Sequence, residues 1–193
     1  METLSKRILN YAIKNEYIQK SQYEEYLYIL TMLLNIIVTD ITMLIIGAFM
    51  GMIWECIIFW IIYKVLRKYC GGFHFSTSLK CYLSTCIMCP IILIIIKYIP
   101  SNMMALTILT FITAIIMLIL SPVPAVNKPL DKDEVRVFGK IARISILTAV
   151  IVYNIMICMK FYTVSKIISL SIISVAIFMI AGNLQLKALN KTN

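Results

Sequence analysis

The chain has 193 residues, 61% of them hydrophobic, and a mean hydropathy of +0.92. A soluble domain is about half apolar, so this composition excludes one and points to an integral membrane protein. The formal charge is +9, but the basic residues stand at the ends of apolar segments rather than in one patch, which excludes a nucleic-acid-binding surface.

Residues 1–26 are polar but patterned. Leu4, Ile8, Tyr11, Ala12 and Ile18 fall on one helical face, with Lys6, Arg7, Asn10 and Lys14 elsewhere. This predicts an amphipathic helix lying on the membrane surface; a solvated terminus is the alternative. The stretch lacks the apolar core and small-residue cleavage site of a secretion signal. The six cysteines are therefore expected as free thiols, most of them packed as small hydrophobes.

Six apolar segments follow: Leu27–Gly47, Met52–Leu66, Cys81–Tyr98, Met103–Leu120, Ile144–Met159 and Ile167–Leu186. The expected fold class is an all-α integral membrane protein. It has one six-span domain over residues 27–186 and a tail over 187–193. A straight span needs about 20 residues. The second and fifth segments are short, so they are recessed or extended by the snorkelling Lys64 and Lys160. With the N-terminus inside, fifteen of the eighteen Lys and Arg residues fall on the cytoplasmic side. Only Lys97, Lys160 and Lys166 fall outside. That imbalance predicts both termini in the cytoplasm. Asp40 and Glu55 are intramembrane acids, functional candidates by default, but their position in the first hairpin favours structural polar pairing.

Two cytoplasmic connections stand out. In the second, 121–143, Pro122, Pro124 and Pro129 stop a helix. Asp131 and Glu134 then have the spacing of a capping box that opens the next one. The first, 64–81, contains "RKYCGGFHFSTSLKC", with the only histidine of the chain, His74. On one continuous helix His74 and Cys81 would lie about 10 Å apart, too far to hydrogen-bond. The sequence supplies a bend: Gly71-Gly72 frees the backbone, and Thr77 and Ser78 are N-cap candidates for the next helix. With Ser78 as the cap, Cys81 is the third helical residue. There the free N–H groups and a neighbouring imidazolium favour a thiolate. Three readings stand at this point: a Cys–His dyad with His74 as base and then acid, a histidine anchored at the interface, and a metal site using Cys70, His74 and Cys81, one ligand short of a structural zinc set. Cys86 and Cys89 form a CxxC followed by Pro90 inside an apolar helix, which reads as packing.

Arg67-x-x-x-Gly71-Gly72-x-His74-x6-Cys81 resembles the signature of the accessory gene regulator B (AgrB) family, membrane peptidases that process quorum-sensing propeptides. The similarity covers nearly the whole chain, including Pro122-x-x-x-x-Asn127-Lys128-Pro129. Phe73 is bulkier than many relatives carry at that position. The resemblance implies His74 and Cys81 as the catalytic pair, with Arg67, Gly71, Gly72 and Ser78 supporting the site or contacting substrate. It implies no cofactor, a possible homodimer, and an AgrD-like signal propeptide as partner and substrate, with an amphipathic leader, an internal Cys and an acidic tail. The implied product is a thiolactone, formed when the acyl group on Cys81 passes to the peptide's own Cys. The inner cations suit an acidic tail, though topology alone also accounts for them. The rival reading is a non-enzymatic transporter or exporter of a small peptide, against which stand the few polar intramembrane residues and the absence of a broken-helix pair.

The charge distribution makes a direct prediction. Lys68→Cys and Lys132→Cys, each in a background lacking other reactive thiols, resist an impermeant maleimide in intact cells and label after lysis. Labelling of either without lysis reverses the topology.

Overall fold

The computed structural model describes the chain apart from residues 1, 16, 74, 76, 101, 125–130 and 193, with side chains described as far as residue 189. The described residues are helical apart from short connections and one isolated β-bridge. Seven α-helices run in order: α1 Glu2–Lys14, α2 Tyr23–Phe49, α3 Ile53–Cys70, α4 Ser78–Tyr98, α5 Met103–Leu120, α6 Lys132–Cys158 and α7 Tyr162–Thr192. A 3-10 turn at Lys20–Gln22 leads into α2. The chain divides into two compact units, Met1–Ile45 and Ile46–Asn193.

In the first unit α1 packs on α2. Ser5 and Leu9 are buried, and the Thr31 hydroxyl donates to Ser5 Oγ at 2.9 Å. Glu2 and Lys6 form an ion pair one turn apart on the outer face of α1. Along α2, Ile29, Leu33, Ile37, Ile41 and Leu44 are exposed, the composition of a helix meant for lipid rather than water.

The second unit holds α3 to α7. Five helices, α2, α4, α5, α6 and α7, are long and apolar enough to cross a membrane. The second expected span, Met52–Leu66, corresponds to α3, which is helical throughout. However, its 18 residues include Glu55, Lys64, Arg67 and Lys68, so its apolar stretch is short. Helix ends agree with the local signals. Asn102 caps α5 by accepting from Met104 N and Ala105 N at 3.0 and 3.3 Å. Asp131 and Glu134 form the expected capping box of α6: Glu134 N donates to Asp131 Oδ1 at 2.7 Å, and Asp131 N to Glu134 Oε2 at 3.2 Å. Asn127, Lys128 and Pro129 of the preceding loop lie outside the described residues.

The core of this unit is α7, which packs against α3, α4, α5 and α6. Every side chain from Ser165 to Ile172 is buried. Lipid tails are as apolar as leucine, so helices in a membrane associate through close packing and interhelical hydrogen bonds, and small and hydroxylated residues mark the contacts. Ser165, Ser169, Ser171, Ser174 and Ala176 supply them here. Ser169 and Thr110 share a hydrogen bond of 2.6 Å between α7 and α5. Thr107 and Tyr153 join α5 to α6 at 2.8 Å. Cys56 of α3 and Cys89 of α4 bring their sulfurs to 3.6 Å in a buried contact, so Cys89 of the CxxC is a packing residue, as expected.

Lys166 departs from its expected place as a free outer cation. It is buried, and its ammonium donates to Ile96 O at 3.0 Å and to Ile99 O. These carbonyls close the C-terminal end of α4, where a cation meets both unpaired acceptors and the negative pole of the helix.

The Ser169–Thr110 contact is measurable. A double-mutant cycle of Ser169→Ala and Thr110→Val, read from unfolding of detergent-solubilised protein, gives a coupling of about 1 kcal/mol. A coupling near zero makes the two hydroxyls independent of each other.

Candidate active site

The segment between α3 and α4 is held by backbone geometry that only glycine tolerates. α3 ends at Cys70, and Gly71 and Gly72 take φ of 72° and 116°, conformations that any Cβ strains. Space is equally restrictive. A Cβ on Gly71 would lie 2.0 Å from Val123 O, and one on Gly72 2.7 Å from Phe178 O. Between these contacts runs the single β-bridge of the described residues: Val123 N donates to Cys70 O at 2.9 Å and Gly72 N to Val123 O at 3.0 Å. Phe73 N then donates to Phe178 O of α7 at 2.8 Å. A third glycine makes the crossing possible from below, since a Cβ on Gly182 would sit 2.4 Å from Phe73 N. The chain therefore crosses directly over the backbone of α7.

Arg67 fastens this crossing. Its guanidinium donates to Gly71 O and Phe73 O. It also lies 5.0 Å from the ring centre of Phe178. Burial of such a cation costs free energy unless its donors are matched. Two carbonyls and an aromatic face match them here. Arg67 is thus turned toward its own backbone, at Gly71 O and Phe73 O.

Cys81 follows in the first turn of α4. Thr77 is the N-cap, its hydroxyl accepting from Lys80 N at 3.4 Å. Of the two cap candidates the chain uses Thr77, and Ser78 is the first helical residue. Cys81 is therefore the fourth helical residue, not the third, and its own N–H donates to Thr77 O at 3.2 Å. The N–H groups that have no intrahelical acceptor are those of Ser78 and Leu79. Cys81 is half-buried.

Cys70, by contrast, is wholly buried, and burial pushes its thiol up to about 12. At neutral pH it remains a protonated thiol. His74 lies outside the described residues, as does Ser76, so the histidine side of the expected dyad and the expected Cys70–His74–Cys81 metal alternative have no geometry here. The rings of Phe73 and Phe75, on either side of position 74, meet edge to face at 4.9 Å. Among the described residues no three His, Cys, Asp or Glu side chains cluster as metal ligands would.

Sequence reasoning picked out Arg67, Gly71 and Gly72, which meet at this crossing, and Cys81, which follows in the first turn of α4. It missed Gly182, Phe178 and Val123, the other side of the same contact. Gly182 carried a faint signal as the only glycine in α7, since a glycine inside a helix costs about 1 kcal/mol and wants a packing reason.

The family model described as accessory gene regulator B matches residues 5–180. No curated protein and no solved structure matches the chain.

The crossing predicts that Gly72→Val and Gly182→Val act alike. Each inserts normally but loses peptide processing by about 100-fold, the cost of displacing reacting groups by about 1 Å. Precursor cleavage in isolated membranes measures it. Normal processing by either variant makes that glycine a mere connector.

Proposed function

The chain belongs to the accessory gene regulator B family, and from that premise we propose that it is a membrane-embedded cysteine endopeptidase and peptide cyclase. Membership is consistent with a role in the agr quorum-sensing system and implies a propeptide substrate in the membrane. The observation that carries the mechanism is the setting of Cys81. Of the six cysteines it stands in the first turn of a helix, half-exposed, at the end of the segment fastened by Arg67. Cys70 and Cys89 are buried.

Cys81 Sγ gives its proton to His74 and attacks the carbonyl carbon of the scissile bond. The C–N bond breaks, and His74 returns the proton to the leaving amine of the tail. The rest of the propeptide stays on Cys81 as a thioester. The peptide's own cysteine then attacks that thioester, its proton passing back to the Cys81 sulfur, and a thiolactone ring closes. No water is consumed and no redox partner is needed. The free N–H groups of Ser78 and Leu79 are the candidate donors to the oxyanion of each tetrahedral intermediate. Six spans with both termini in the cytoplasm, α1 on the membrane surface and residues 64–81 at the inner face of a bacterial plasma membrane complete the proposal. Placement at the edge of the hydrocarbon limits hydrolysis of the thioester.

Cys81→Ser and His74→Ala abolish cleavage, while Cys70→Ala, Cys86→Ala and Cys89→Ala retain most of it. With a precursor whose internal Cys is changed to Ala, the wild-type enzyme accumulates an adduct that hydroxylamine releases and mass spectrometry assigns to Cys81. A Cys81→Ala protein that still cleaves, or an adduct on another cysteine, refutes the mechanism.

A further inference from the structure

α4 and α7 face each other without closing. Along α4, Lys80, Leu83, Ser84, Ile87, Met88, Ile91 and Ile95 recur with helical spacing on one face. On α7, Leu170, Ile173, Ser174, Ile177 and Phe178 do the same. Between the two stripes lies a groove with a volume of about 730 Å³, within the usual range of about 300–1,000 Å³ for ligand pockets. Its wall on α7, from Leu170 to Phe178, is about 12 Å of helix. Leu83, Ile87, Ile91 and Ile177 are exposed, so the groove is open along its side.

One end of this groove is distinctive. Phe75 and Lys80 line it; Phe75 belongs to the crossing segment, and Lys80 immediately precedes Cys81. Among the described residues of the lining, Lys80 is the only charged side chain. An occupant must then be apolar along its length, with any negative charge only at the Cys81 end. Two stripes of helical period form the kind of surface that accepts the apolar face of a third helix. The family's substrate is a propeptide in the membrane. A chain lying in the groove and emerging at its Lys80 end arrives at Cys81.

We propose that the α4–α7 groove seats the apolar face of the propeptide's amphipathic leader and delivers the residues that follow it to Cys81. This rests on the reading of Cys81 as nucleophile. It adds a specificity surface that the Arg67–Cys81 segment does not contain. Side chains of the groove select the apolar face, and Lys80 meets an acidic group next to the scissile bond.

The test places a photo-crosslinking amino acid, p-benzoylphenylalanine, singly at Leu83, Ile87, Ile91, Ile173 and Ile177 in full-length Cys81→Ser protein in membranes, together with the propeptide. Ile112 and Ile115, exposed on α5, are the comparison positions. Adducts with the propeptide at the groove positions and not at the α5 positions are expected. Adducts with lipid alone at the groove positions, or equal peptide adducts on α5, overturn the proposal. In the otherwise native enzyme, Ile87→Trp and Ile177→Trp fill the groove and raise KM about tenfold more than they lower kcat. Reaction of Cys81 with iodoacetamide, read by mass spectrometry, stays as in the native enzyme. Unchanged KM in both variants counts against the groove. Cleavage by Cys81→Ser defeats the catalytic reading instead, whatever the crosslinks show.

Discussion

A guanidinium held by its own backbone is the constraint on which the site depends. Arg67 projects from the last turn of α3, and the carbonyls that receive it belong to Gly71 and Phe73, just downstream. Those carbonyls can point at Arg67 because Gly71 and Gly72 adopt positive φ. Near hydrocarbon a carbonyl without a donor costs several kcal/mol. The arginine and the irregular backbone therefore require each other. Neither a lysine, lacking the planar fork, nor a residue with a Cβ at 71 or 72 satisfies both sides.

The same segment also needs a floor, and α7 supplies it. This helix has two composition demands that pull in different directions. Against α5 it needs small hydroxylated residues that allow close approach and still satisfy their own hydrogen bonds, as Ser169 does with Thr110. Further along it must bring a large aromatic ring, Phe178, under the guanidinium. One turn later it needs no side chain at all, at Gly182, for the crossing backbone to pass. The active segment is thus anchored to the most buried helix of its unit, so the backbone before Cys81 is held to the best-packed part of the molecule.

Much of this was legible in the chain itself. Continuous apolar runs give the helices, since in lipid only a helix or a closed barrel satisfies every backbone group. Asn102 and the Asp131–Glu134 pair announce helix starts through local hydrogen bonding, which needs no tertiary partner. Arg67, Gly71, Gly72 and Cys81 stood out because charge, glycine and thiol are conspicuous at the end of an apolar run. α3 was harder, because Lys64, Arg67 and Lys68 continue its helix while ending its hydropathy. Contacts between segments far apart in sequence were not legible. Nothing local distinguishes Val123 or Phe178 from dozens of other apolar residues, and their roles lie in backbone carbonyls that every residue has. Cap choice between adjacent Thr77 and Ser78 was also ambiguous, because both hydroxyls can accept from the first turn and the chain uses the intrinsically weaker cap, Thr77.

Lys166 carries a consequence for how the chain sits in a bilayer. Its ammonium is bound to the last carbonyls of α4 and is buried, so it presents little charge to lipid headgroups once the fold is complete. The charge that an insertion machinery reads along the nascent polypeptide is then not the charge the finished protein displays on that face. The positive charge of Lys166 thus counts differently in the nascent polypeptide and in the folded protein.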